Sequence, residues 1–196
     1  MKIRFVICPN IPENIKGKCF QKNCIMKNKS HDWRSIASEE YAFEYIGIKK
    51  ILYEEDDLIT KYACKGIKIP ECIAVDPSNS SNIISVEVKR ICGNNLPKDY
   101  QGQDRRLLRD RGDKIMWPWG KTIHDSLLKA HPLIVQELNV NTHHSVFVVP
   151  KSLSKKTLKR LCNHVYNNVC EKYYHIPKCN TVVHVIQGDD SMFDRL

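Results

Sequence analysis

The sequence predicts an α/β fold. Three observations carry that: helical spacing of apolar residues recurs along the chain, apolar runs of strand length lie between the helices, and the composition is that of a chain with a core. Apolar residues make up 42% of the 196 positions, a globular share, and the length suits one domain with a full core. Read in order, the elements are helix, strand, hairpin, helix, strand, helix, strand. The formal charge of +9 makes a polyanion the first partner to consider.

Residues 2–8 read as a short strand, followed by a Pro- and Lys-rich irregular stretch to residue 30. Residues 1–34 are therefore set apart as an N-terminal strand and Cys/Lys-rich segment, either part of the same domain or a small zinc-stapled extension, and 35–196 form the main domain. From Ser35 a helix is expected, with Ser35, Glu39, Ala42 and Ile46 on one stripe, Ile36 and Phe43 beside it, and an end near Gly47. Residues 49–60 read as strand interrupted by the acidic turn Glu54-Glu55-Asp56-Asp57.

A hairpin follows, over about 66–91. Its two apolar runs, Ile73-Ala74-Val75-Asp76 and Ile83-Ile84-Ser85-Val86-Glu87-Val88-Lys89, are joined by the turn residues 77–82. Residues 94–113 are loop-like. Helical periodicity returns over 122–138, with Pro132 kinking or dividing it. Residues 145–149 are a buried strand stopped by Pro150, and Ser152 or Ser154 caps a helix carrying Leu158, Leu161, Val165 and Val169. Residues 181–187 are the last strand.

The chemistry is concentrated on the hairpin. Strand side chains alternate, so Glu87 and Lys89 point the same way and Val86 and Val88 the other. Asp76, across the turn, is expected to meet Glu87. Two carboxylates at a strand end repel, and a hard divalent cation resolves the repulsion. The Lys89 ammonium then has a water or a phosphate to hold, the arrangement that metal-assisted phosphodiester hydrolysis needs. The Asp76 and Glu87 carboxyl groups are expected within about 5 Å of each other. Their placement on opposite faces of the sheet would end the nuclease reading.

The pattern of Asp76, ten residues, then Glu87-Val88-Lys89 resembles the PD-(D/E)XK nuclease superfamily, which holds type II restriction enzymes and archaeal Holliday-junction resolvases. The resemblance covers about 35–150 and implies a restriction-endonuclease-like core, a central mixed β-sheet flanked by helices. It implies a divalent-metal-dependent nuclease using Mg²⁺ or Mn²⁺ and acting on DNA in preference to RNA. Asp76 and Glu87 would hold the metal with the Val88 carbonyl, and Lys89 would orient the water or steady the phosphate. Residues 38–46 resemble the first helix of small members of the group, which makes Glu39 the third acidic ligand. Glu40 is its rival, and either could instead simply favour a helix N-terminus. The sequence departs from the pattern in that Asp76 precedes Pro77 rather than following a proline.

From Lys89 to Lys121, both included, stand nine Lys or Arg against four Asp and no Glu. Arg105, Arg106, Arg109, Arg111 and Lys114 are the expected nucleic-acid-binding residues, since guanidinium groups bind phosphate bidentately. Trp117 and Trp119 beside them can stack on bases or plug the core. Lys155, Lys156, Lys159 and Arg160 form a second basic patch, better read as the wet face of a helix.

The nine cysteines are expected as thiols or metal ligands rather than disulfides. Cys8, Cys19, Cys24 and His31 have the chemistry of a structural Zn²⁺ site without a recognised finger spacing. Cys162, His164, Cys170, His175 and Cys179 look similar, but helical phase favours buried thiols there. Neither a secretory signal nor an apolar run of membrane-spanning length is visible, so a cytosolic or nuclear protein without a membrane partner is expected. A homodimer suits a nuclease with one site per chain that cuts both strands of a duplex. Two alternatives stay open: a non-catalytic nucleic-acid-binding module, and an RNA endonuclease similar to cap-snatching enzymes, for which His31 would supply the added ligand.

Overall fold

The computed structural model describes residues 2–7, 9–11, 14–15, 33–62, 65–90, 122–151, 158–159, 163, 178–189 and 192. They form an α/β fold: a mixed six-stranded sheet in the order β1-β6-β5-β4-β3-β2 with helices on both faces. The strands are β1 (Ile3–Ile7), β2 (Ile51–Glu54), β3 (Cys72–Asp76), β4 (Asn79–Arg90), β5 (Val140–Pro150) and β6 (Asn180–Gly188). The antiparallel meander β2-β3-β4 is joined to a parallel half, in which β4 pairs with β5, β5 with β6 and β6 with β1.

Helix α1 (Trp33–Ile46) lays Ala37, Tyr41 and Ala42 on one face of the sheet, against Cys72, Ala74, Ile84, Val86 and Val88. It stops at Gly47, whose φ of 85° is the left-handed conformation that glycine adopts without steric cost, and the Gly47 and Ile48 amides close on the Phe43 carbonyl. The opposite face is covered by α2 (Glu55–Tyr62), helical residues 122–127 and α3 (Pro132–Glu137), with Leu58, Tyr62, Ala130 and Ile134 packed on Ile73 and Val140.

Several expectations change in detail. The segment read as an acidic turn and further strand is helix α2: its acids fill the first turn, where the macrodipole favours them, and Leu58 and Tyr62 recur one turn apart and are buried. The helical stretch over 122–138 is divided as expected, with His131 capping α3 by accepting the Leu133 amide at 3.2 Å and Pro132 opening it. Strand β5 starts at Val140, earlier than the apolar run suggests, because His143 and Ser145 are satisfied in a buried polar network. The loop at 94–113 and most of the helix after Ser154 lie outside the described residues, although Leu158 is buried and Lys159 exposed.

Candidate metal centre and active site

The hairpin register decides which acids meet. Cys72 stands opposite Val86 and Ile73 opposite Ser85, so extending the ladder by one residue brings Glu71 opposite Glu87. Glu71 shares the phase of Ile73, and Glu87 that of Ser85, so both belong to the same face. Glu71 Oε1 lies 3.8 Å from Lys89 Nζ, and Glu87 Oε1 lies 2.6 Å from the same nitrogen.

Asp76 is not in this site. Five residues separate it from Glu71, roughly 16 Å along an extended strand, and the odd number puts it in the opposite phase. Regular pairing ends at Val75↔Ile83, after which the register jumps to Asp76↔Asn79 and residues 80–82 bulge. Asp76 instead closes the turn: its Oδ1 accepts from the Ser78 amide at 2.8 Å and the Ser78 hydroxyl at 2.6 Å. Burial acts to raise the Asp76 pKa, but the Ser78 hydrogen bonds and nearby His144 outweigh it and hold it below the ordinary value. The pairing of Asp76 with Glu87 is therefore wrong, and a nuclease reading that rests on Asp76 ends with it. Glu71, preceded by Pro70, is the carboxylate that meets Glu87.

Glu71 and Lys89 line a cleft of about 290 Å³ with Ser35, Ser38, Glu39, Glu55, Val88 and Arg90. The cleft opens where β3 begins and β4 ends, and three elements feed it. Helix α1 presents Ser35, Ser38 and Glu39 one turn apart, because Ala37, Tyr41 and Ala42 anchor it to the sheet. Glu55 comes from the first residue of α2. Glu39 thus lines the cleft, whereas Glu40 and the fully buried Glu87 are not among its lining residues.

Burial raises the Glu71 pKa to about 8, helped by the charges of Glu87, Glu39 and Glu55 and opposed by Lys89. Burial also acts against the Lys89 charge, but the Glu87 and Glu71 carboxylates prevail and hold its pKa above the usual lysine value. Glu87 is fully buried, and its charge is answered by Lys89, whose Nζ is 2.6 Å from Oε1, and by Lys129, whose Nζ is 3.2 Å from Oε2. Among the described residues no group of three or more Asp, Glu, His or Cys side chains is placed to hold a metal ion. The oxygen donors that line the cleft, the Glu39, Glu55 and Glu71 carboxylates and the Ser35 and Ser38 hydroxyls, are of the kind a hard divalent cation takes, and they stand beside the cations Lys89 and Arg90.

A second cluster lies on the α1 face. His144 Nδ1 is 2.9 Å from His184 Nε2, the rings stack with centroids 5.1 Å apart, and His184 Nδ1 meets the Tyr45 hydroxyl at 3.2 Å. Burial lowers the pKa of His144 to about 4 and that of His184 to about 3, and it lowers buried His143 to about 3. Each folded value lies below the unfolded one near 6.5, so these groups contribute stability that is present above pH 6.5 and lost as pH falls toward 4 and 3. Glu71 has the opposite sign, since its raised pKa withdraws stability as pH rises from about 4.5 to 8. Three histidines outweigh one carboxyl below pH 6.5. The urea midpoint is expected to fall between pH 6.5 and 4.5, and a midpoint that rises over that window would contradict these assignments.

Glu71, Glu55 and Lys129 are the site residues that the sequence reading missed. The sequence signal for Glu71 was approximate: Glu87 is the fifth residue after the turn 77–82, which points to Cys72, and the register shift at Val75/Asp76 moves the partner one residue further, to Glu71. Cys8, Cys19, Cys24 and His31, the basic residues Arg105, Arg106, Arg109, Arg111 and Lys114, and Trp117 and Trp119 lie outside the described residues. Of the later Cys/His set only Cys179 is described; it is buried, and burial lifts its pKa to about 11. No helix among the described residues is long and apolar enough to cross a membrane. Comparison with protein-family models, curated proteins and solved structures returns no match.

Proposed function

We propose that the chain is a divalent-metal-dependent nuclease of the PD-(D/E)XK kind, with Glu71 in place of the aspartate. The observation that carries this is the convergence of Glu71, Glu87 and Lys89 at one end of the β3–β4 hairpin, beside Glu39 of α1. Pro70-Glu71, fifteen residues, then Glu87-Val88-Lys89 restores the proline before the acid that the Asp76 alignment lacked. The order of α1, the meander β2-β3-β4, helical segments and parallel β5 also agrees with the restriction-endonuclease-like core.

In this reading Glu71 and Glu87, assisted by Glu39 and Glu55, would hold Mg²⁺ or Mn²⁺, which would supply a water of lowered pKa and positive charge against the phosphate. Lys89 is 35% exposed at its side chain, enough to reach a phosphate from its seat against Glu87. Its ammonium steadies the nonbridging oxygens as the water oxygen attacks phosphorus. The P–O bond to the leaving sugar oxygen breaks, that oxygen takes up a proton, and the attacking water gives one to solvent.

One observation favours a second reading. Glu87 lies between two ammonium groups, so its charge is balanced within the protein, as in a non-catalytic nucleic-acid-binding module with a structural ion cluster. Incubation with labelled single- and double-stranded DNA and RNA under Mg²⁺, Mn²⁺ and EDTA separates the two. Cleavage of DNA with either ion and none in EDTA supports the nuclease; binding without cleavage under all three supports the module.

The substrate grip is assigned to the segment from Arg105 to Lys114. Changing Arg105, Arg106 and Arg109 together to Ser is expected to weaken duplex binding and to flatten the slope of log affinity against log salt by up to about three times 0.9. An unchanged slope would move the grip elsewhere, most simply to 155–160.

A further inference from the structure

Strand β2 is an edge of the sheet, and among the described residues nothing pairs with its outer side. The Val75 amide donates to the Lys50 carbonyl at 3.0 Å. That carbonyl therefore faces β3, and the next residue, Ile51, turns its own amide and carbonyl outward. The far end of the edge is closed: the Glu54 amide donates to Asp57 Oδ2 at 3.0 Å, and α2 begins at Glu55.

The side chains at this edge are unusual for the molecule. Ile51 and Tyr53 on β2 and Ile59 on α2 are the exposed large apolar residues among those described, at 38%, 37% and 46%. An edge with outward backbone groups and exposed apolar side chains is a template for another strand. Its charges say which strand. Lys49 and Lys50 precede β2, Glu54 ends it, and Glu55, Asp56 and Asp57 follow. Lys49, Lys50, Glu54 and Asp56 are exposed, and no ion pair among the described residues uses any of the four.

We propose that β2 is a self-pairing edge, through which two copies of the chain join as antiparallel strands about a two-fold axis at Leu52–Tyr53. In any register centred there, Lys49 and Lys50 of one copy meet acids within 54–57 of the other, and the symmetry repeats the contact. Opposite charges facing across strands stabilise such a pair, and the apolar middle of each strand covers that of its counterpart. A parallel arrangement would instead set lysine against lysine and acid against acid. Lysine on an edge ordinarily wards off other strands; an antiparallel second copy is the strand whose charges answer both ends. The run of four acids also repels a polyanion, so nucleic acid is not the occupant. The seam is short and its charges are exposed, so the dimer is weak and salt-sensitive. The proposal goes beyond the nuclease reading and does not rest on it.

The test is sedimentation velocity without metal or nucleic acid, in low and high salt, at concentrations up to roughly 100 µM. It compares the parent, the double variant Lys49→Glu with Lys50→Glu, the double variant Glu54→Lys with Asp56→Lys, and an equimolar mixture of the two variants. The parent is expected to dimerise in low salt and to dissociate as salt is raised. Each double variant alone sets like charges across the seam and should dimerise about tenfold more weakly or less. The mixture restores opposite charges at both ends and should form a heterodimer of near-parent affinity. A parent that stays monomeric up to roughly 100 µM overturns the proposal. So does a dimer that both double variants form as well as the parent, or a mixture that recovers nothing. Far-UV circular dichroism checks that the variants fold, and if a double variant does not, Lys50→Glu and Glu54→Lys are read by the same criterion. Cleavage assays are separate from all of these outcomes, so failure here leaves the nuclease reading standing.

Discussion

Glu71→Gln is expected to lower metal-dependent cleavage by on the order of a thousandfold, while Asp76→Asn leaves it within about threefold. The contrast is sharp because the sequence pattern favours Asp76 and the hairpin register favours Glu71. Glutamine keeps the shape of Glu71 and removes the charge a divalent ion needs. Asp76 holds a turn through Ser78, so its change should show in stability rather than in rate. The same Glu71→Gln variant should be more stable than the parent at pH 8 in EDTA, since it lacks a carboxyl whose pKa is pushed to about 8 by burial and by Glu87, Glu39 and Glu55. Each unit of raised pKa corresponds to about 1.4 kcal/mol, withdrawn from the parent as pH rises from about 4.5 to 8. A Glu71→Gln enzyme that cuts like the parent would remove Glu71 from the site.

Lys89→Ala is expected to reduce cleavage by roughly a hundredfold or more while Mn²⁺ affinity does not weaken. Its ammonium is 2.6 Å from Glu87 and 3.8 Å from Glu71, within reach of water or phosphate at the same carboxylates. The separation of rate from metal binding is what distinguishes this role from a purely structural ion pair. Full activity in Lys89→Ala, read in single-turnover cleavage at saturating Mn²⁺, would show that the lysine only balances Glu87.

Much of the scaffold was legible from local pattern. The stripe of Ser35, Glu39 and Ala42 placed α1 and brought Glu39 to the cleft, and Pro132 divided the helical stretch after residue 121. The Glu87–Lys89 pair followed from strand alternation alone. Asp76 failed for a geometric reason: residues that flank a turn pair with each other, and Glu87 is too far from the turn to pair with a residue beside it. Composition misled at Glu55: four consecutive acids resemble a solvated turn, but the first ends β2 and the other three open α2, with Glu55 at the cleft. Lys129 left no signal, because its contact with Glu87 depends on how the 122–130 segment docks, which a polar network of Ser85, Ser126, His143 and Ser145 settles.

The most direct test is an anomalous-scattering map from crystals of the protein soaked in Mn²⁺. A peak within about 2.5 Å of carboxylate oxygens of both Glu71 and Glu87 is the predicted result. A peak at Asp76, or a fully loaded crystal with none in the cleft of Glu39, Glu71 and Lys89, would contradict it.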